Sequence, residues 1–323
     1  MERRELIRLL AGAATAWPLA ARAQPHAKVP VVGFLGLAPE FSGVEALRAG
    51  LRDLGYIEGN NIIIEWRWAE NVEQLPGLAD ELVAQRVDVI IAPSSTFVQA
   101  ARQATTTIPI VFAVHADPVG LGHVASLAQP SGNITGMSML LTELAAKGLE
   151  VMTESLPQVR RIGILWNPTT PSHPRALKAI EAAAEKLGIE LRMVPAQTLK
   201  DFDGAFSTMT QEGVGGLLAV ASPLIVAQAA PLAGFALKYR LPGMFPFKEN
   251  VEAGGLLSYG ADRDDLYRRT AAYVDKIIRG AKPADLPVEQ ASKYRLVINL
   301  KTAKTLGIEL PPQVLARADE VIE

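Results

Sequence analysis

The feature that most constrains this chain is an alternation, sustained from Val29 onward, between short β-branched runs and amphipathic stretches with helical period. Parallel strands cannot be joined by a tight turn, so this pattern is the signature of a parallel sheet connected by crossover helices. In the first half the expected strands are 31–37 (VVGFLGL), 61–68, 87–92, 108–114 and a short one at 133–138. The helices between them are 43–54, 72–85 and 95–105, the first with Val44, Leu47, Leu51 and Leu54 on one face and a stop at Gly55. The second half repeats the rhythm: helix 143–156, strand 161–166, helix 174–187, strand 190–195, helix 202–211, strand 215–220, helix 224–239, then short strands 243–245 and 256–259. A chain of 323 residues exceeds what one core usually supports, so two α/β lobes in series are expected. After them the order changes. Helix 263–279, a connector marked by Pro283 and Pro287, an extended run 294–300 and a short helix 302–306 fit a chain that crosses back to the first lobe and returns to the second. The expected fold is therefore two Rossmann-like lobes joined by a three-crossing hinge, 28–138 with 261–282 and 139–260 with 283–323. A ligand would sit in the cleft between them.

The amino-terminal segment reads differently. Residues 1–23 combine a basic start (Arg3, Arg4, Arg8), thirteen uncharged residues at 9–21 and small residues at Ala21 and Ala23, the pattern of an export signal cleaved after Ala23. The uncharged run is well short of the roughly 20 residues of a membrane-spanning helix. Arg3-Arg4, followed by Glu5, Leu6, Ile7 and Arg8, suits a twin-arginine signal, and a Sec signal that happens to carry two arginines is the alternative. Removing its four basic and two acidic residues leaves 28 against 32, a net charge of −4. Without a cysteine after the cleavage site there is nothing to lipidate, so a soluble periplasmic protein is expected.

Composition excludes several chemistries. The chain has no cysteine, which removes disulfides, iron–sulfur clusters, thiol nucleophiles and Cys-ligated zinc. Four histidines, His26, His115, His123 and His173, show no paired spacing for a metal. The balance of 32 basic against 34 acidic residues gives none of the positive surplus that displaces counterions from nucleic acid. No Gly-Lys pair forms a phosphate loop. Gly120-Leu121-Gly122 has Ala125 in place of the third glycine of a dinucleotide fingerprint, and Gly136-Met137-Ser138-Met139-Leu140 has Leu140 where a nucleophile elbow needs glycine. No catalytic residue, metal site or cofactor is expected.

In open α/β sheets ligands bind outside the carboxyl ends of the strands, so the loops there hold the candidates. Ser94, Ser95 and Thr96 bring three hydroxyls to the start of a helix, where free amides and the helix dipole favour an anion such as a carboxylate. The plainer role for Ser94 or Ser95 is to cap that helix. Asp117, before Pro118, is suited to accept from a ligand ammonium or to shape a turn. His115 is more readily a hydrogen-bonded loop residue. In the second half Asn167, Ser222, Phe247, Tyr259 and Asp262 occupy equivalent loops. Phe247 and Tyr259 would wall an apolar ligand body or pack within the hinge, and Asp262 would touch ligand or cap the helix that follows. Trp66 and Trp68 alternate on one face of their strand and read as core or covered surface rather than pocket.

The blocks RRELIRLLAGAATAWPLAARAQ, VVGFL, GLRDLGYIEGNNIIIEWRWAE, TTTIPIVF, DPVGLG, SGNITG, GGLLSYG and YRLVINLKTAKTLGIELPPQVLARADEVIE resemble the ABC transporter substrate-binding protein family related to tryptophan/tyrosine-binding components. The resemblance covers essentially the whole chain. It implies a type I periplasmic binding protein fold, closure on a small solute, a monomeric carrier and delivery to an inner-membrane permease with its ATPase. By similarity Ser94, Ser95, Asp117, Asn167, Ser222 and Tyr259 fall in cleft loops that carry ligand contacts in such folds. The function expected is capture of a small amino-acid-like or aromatic carboxylate by hinge closure. The alternatives are an exported sensor that hands its solute to a receptor and, less favoured, an α/β enzyme.

Overall fold

The computed structural model describes residues 29–37 and 42–323; the expected export signal lies outside the described residues. The chain runs β1 (Val31–Gly36), α1 (Ser42–Asp53), β2 (Ile63–Trp68), α2 (Leu75–Ala84), β3 (Val89–Ile91), α3 (Ser95–Ala104), β4 (Ile110–His115) and β5 (Ile134–Ser138). It then crosses to a second unit of α4 (Leu141–Ser155), β6 (Arg161–Trp166), α5 (His173–Leu187), β7 (Glu190–Pro195), α6 (Asp201–Gln211), β8 (Gly216–Ala219), α7 (Pro223–Ala227), α8 (Ala229–Lys238), β9 (Gly243–Phe245), α9 (Lys248–Glu252) and β10 (Leu257–Ala261). Next come α10 (Arg263–Ile278) and β11 (Glu289–Gln290), then β12 (Tyr294–Asn299), α11 (Leu300–Leu306), α12 (Pro312–Leu315) and β13 (Glu320–Ile322).

The strands form two sheets. The first, ordered β11-β5-β4-β3-β1-β2, is parallel throughout. The second, ordered β13-β12-β10-β9-β8-β6-β7, is parallel except where β12 runs against β10. Because α10 and β11 belong with the first sheet, the chain passes between lobes three times, near residues 139–140, at Asp262 and at 291–293. Central strands β3, β4 and β5 are buried on both faces and correspondingly apolar, whereas edge strands β2 and β7 alternate. The return of α10 to the first lobe depends on Gly50 of α1, where a Cβ would lie 2.3 Å from the Arg268 carbonyl oxygen. One apolar cluster runs through both lobes, from Val32 and Phe34 to Ile162 and Ile298, so the hinge is continuous with the core.

Two expectations need correction. The connector after Pro283 was expected in the second lobe. Instead it makes a 3-10 turn, and β11 pairs with β5, Glu289 opposite Met137, while the Val288 amide donates to the Leu127 carbonyl at 2.7 Å. Two exposed polar residues carry no apolar alternation, which is why this strand leaves no trace in the sequence pattern. The helix expected over 224–239 is broken at Gln228, because Pro231 has no amide for the Ala227 carbonyl and its ring would crowd that oxygen. Between β4 and β5 the register slips at Phe112 to His115, where Gly136 (φ 145°) brings its α-carbon against the Phe112 backbone. That irregularity sets the position of His115.

Candidate functional site

A cavity of about 210 Å³ lies between the lobes at the carboxyl ends of both sheets. Its first-lobe wall is Phe34 of β1 and the turn Pro93 to Phe97 at the start of α3. The second-lobe wall is Thr170, Ser172, Ala221, Ser222, Val226 and Phe247. Met139 and Leu141 at the first crossing, with Arg263 and Tyr267 of α10, close its floor. The lining is mostly apolar and aromatic, and its polar groups are chiefly hydroxyls.

The first-lobe wall is braced by a buried histidine relay. The Asp117 amide donates to His115 Nδ1 at 3.1 Å, so that nitrogen is an acceptor and the proton sits on Nε2. His115 Nε2 then donates to His123 Nδ1 at 2.7 Å, and His123 Nε2 to Gln99 Oε1 at 2.9 Å. Ser95 Oγ lies 3.3 Å from His115 Nδ1 and accepts from the Ala116 amide at 3.2 Å. Both rings are held neutral. Burial, then the repulsion that two protonated rings so close would feel, pushes His115 well below the usual range. Burial, then Arg102, lowers His123 to about 4.

The second-lobe wall has a histidine of its own. His173, the first residue of α5 and fully buried, accepts from the Asn167 amide at Nδ1 (3.0 Å) and donates from Nε2 to the Ala221 carbonyl (2.9 Å). It thereby ties together the loops after β6 and β8. Burial lowers it to about 4, against a smaller opposing effect of the Ala221 carbonyl.

Of the residues singled out in the sequence, the structure brings Ser94, Ser95, Thr96, Ser222 and Phe247 together around this cavity. The other four do not line it. Asp117 accepts from the Gly120 amide at 2.8 Å and pairs with Arg175 of α5 at 3.1 Å, a salt bridge from one lobe to the other. Asn167 shapes its own turn, with Oδ1 accepting from the Thr169 amide and hydroxyl at 2.9 and 2.8 Å. Tyr259 borders a separate void of about 20 Å³ beside Leu144 and Ala145 of α4. Asp262 caps α10 through the Asp265 amide at 3.1 Å and pairs with Arg295 at 2.7 Å. Trp66 and Trp68 stack on each other at 5.5 Å and pack at a tilt against Phe34, behind the cavity wall.

Sequence reasoning missed Thr170 and Ser172. The signal was available: they precede α5 as Ser94 precedes α3, a strand followed by hydroxyls and a helix start, displaced a few residues along a longer loop. Arg263 and Tyr267 had no such signal, since their place in the floor depends on the hinge. Arg263 pairs with Glu249 at 2.8 Å and lies over the Phe247 ring at 4.7 Å. Burial pushes the Tyr267 phenol up to about 12.

A family profile described as ABC transporter substrate binding protein matches residues 28–322. A tyrosine-binding protein of Clostridioides difficile strain R20291 is 27% identical over 260 residues, 80% of this chain and 74% of that protein. A solved ABC domain from Streptococcus pneumonia in complex with L-Trp is 26% identical, covers 91% of this chain and 99% of its own, and superposes with a TM-score of 0.84. The ligand-free, open structure of a substrate-binding protein with adhesive properties from Clostridium difficile is 25% identical with the same coverages and a TM-score of 0.65.

Proposed function

The chain belongs to the ABC transporter substrate-binding protein family, and from that premise we propose that it is the periplasmic solute-binding component of an uptake transporter. It captures a small amino-acid-like or aromatic carboxylate by closing two lobes around it. The observation that carries this reading is a single cavity with walls from both lobes. Only a ligand that touches both lobes shifts an open–closed equilibrium.

Size and chemistry support the ligand class. A cavity of 150 Å³ in another protein admits benzene, so about 210 Å³ suits one aromatic side chain with a short polar head. Phe34, Phe247 and Tyr267 line it with aromatic side chains against which the body can pack, and the amides and hydroxyls at the start of α3 offer donors to a carboxylate. The relatives described as tyrosine-binding and as holding L-Trp point the same way. The Asp117–Arg175 bridge and the better superposition on the Trp-bound than on the open relative support reading this conformation as the closed one. Phe247, Ser94, Ser95, Thr96 and Ser222 are the proposed contacts. The chain supplies no reaction: it is a monomeric carrier, exported by the 1–23 leader, that docks in closed form on a permease whose ATPase provides the energy.

Isothermal titration of refolded, ligand-stripped protein against the amino acids and a set of aromatic acids tests this. Saturable binding of L-tyrosine, L-tryptophan or a related aromatic carboxylate is expected. Absence of heat from every carboxylate would refute the reading.

A further inference from the structure

Among the described residues three serines at helix starts, Ser42, Ser94 and Ser172, have buried hydroxyls without partners, and the last two line the cavity. Ser94 and Ser172 occupy the N-cap positions of α3 and α5, yet neither hydroxyl caps its helix. Both Oγ atoms are buried and have no hydrogen-bond partner, and Ser172 as a whole is 2% exposed. Elsewhere in the same chain caps are made in the ordinary way: Ser222, Asp262 and Asn299 each accept from the amide three residues on. Ser172 has a local cause and Ser94 does not. Ser172 has helical backbone angles (φ −82°, ψ −15°), from which its side chain cannot reach back over the first turn, and Pro174 deletes one of the amides it would cap. Ser94 has the extended geometry of a cap (φ −126°, ψ 175°) but leaves its oxygen unused. Buried hydroxyls are almost always satisfied, so a pair of orphans is informative.

Both serines line this cavity, from opposite lobes. Each stands at the positive end of a helix, of 10 residues for α3 and 15 for α5. Arg263, which also reaches the cavity, is paired with Glu249, so an entering anion is met chiefly by hydroxyls and helix ends.

The geometry points to Ser172 as the second-lobe half of a carboxylate clamp: the ligand carboxylate is gripped between the Ser94 hydroxyl with the α3 amides on one lobe and the Ser172 hydroxyl at the start of α5 on the other. The clamp rests on the carrier reading above and deepens it. It places the charged end of the ligand across the hinge, so that the carboxylate itself, rather than the apolar body, draws the lobes together. A ligand with the same ring and no carboxylate would fill the cavity without closing it.

The test compares L-tyrosine and L-tryptophan with their primary amides on wild-type protein, Ser172→Ala and Ser94→Ala. Loss of a hydrogen bond to a charged group predicts about tenfold to a hundredfold weaker binding of the free acids by either variant. The amides bind wild type more weakly by a similar factor, and lose less than about threefold further in the variants, because the group they lack is the one the serines hold. The ligand-free melting temperature of Ser172→Ala stays level or rises, since the hydroxyl has no partner to lose. Equal losses for acid and amide, no loss at all, or a lowered ligand-free melting temperature would each overturn the clamp while leaving the carrier reading intact. Wild-type protein that bound neither amino acid nor any other aromatic carboxylate would instead remove the carrier reading, and the clamp with it.

Discussion

The two lobes meet the cavity with similar parts supported in different ways. Each presents a hydroxyl-bearing turn at a helix start and sets a buried neutral histidine behind it, His115 in the first lobe and His173 in the second. In the first lobe the histidine belongs to a run of side chains, Ser95, His115, His123 and Gln99, ending at the protein surface. In the second lobe it is a clasp between two backbone loops, with one nitrogen on the Asn167 amide and the other on the Ala221 carbonyl. The side-chain relay distributes its bonds over several replaceable groups. The clasp concentrates them in one ring, and the shape of the second wall depends on it.

The largest effect is therefore expected at His173. His173→Ala leaves a buried amide and a buried carbonyl without partners and opens a void, costing about 3 kcal/mol or more of unfolding free energy by urea titration. His115→Ala, which strands the Asp117 amide but leaves His123 held by Gln99, is expected to cost about 2 kcal/mol. An equal or reversed ranking would break the comparison.

Acid sharpens it. All three rings have folded-state affinities for protons below the unfolded value of 6.5, His123 and His173 at about 4. The unfolded chain therefore takes up protons first, and stability is full above about pH 6.5 and declines as pH falls toward 4. The slope is up to about 1.4 kcal/mol per pH unit for each ring. His173→Gln, which cannot titrate, is expected to remove about a third of that slope when stability is measured by urea unfolding at pH 7, 6, 5 and 4.5.

Smaller effects belong to the seam between the lobes. The Asp117–Arg175 bridge is partly solvated, with Arg175 58% exposed, so its loss in Arg175→Ala is expected to weaken binding of whichever aromatic amino acid titration identifies by no more than about fivefold, less at high salt. Leu140, at the first crossing, is held in the left-handed region (φ 56°, ψ 49°), which is unfavourable for a branched side chain. Leu140→Gly relieves that strain but frees the unfolded chain, and the melting temperature is expected to shift by less than about 1 kcal/mol would move it.

The alternation of strands and helices was readable because burial on both faces of a parallel sheet forces continuous apolar runs, as in IVFAVH of β4. The division between lobes was readable to the extent that an extra helix and strand followed two complete α/β units. The third crossing was misplaced, because β11 is two residues long and polar. The hydroxyls of the first wall were legible since they follow a strand directly and open a helix. Asp117 and Asp262 share that position but form salt bridges to Arg175 and Arg295, partners far away in sequence, and no local pattern reveals that. Ser172 was hidden by a loop that runs several residues beyond the strand before the helix begins.

The central claim is that one solute bridges both lobes and draws them together. Small-angle X-ray scattering on ligand-stripped protein, before and after saturating L-tyrosine or L-tryptophan confirmed as bound by titration, measures this most directly. The account predicts a smaller radius of gyration with ligand, and a scattering curve that then matches the conformation described above. A radius unchanged at saturation would contradict it.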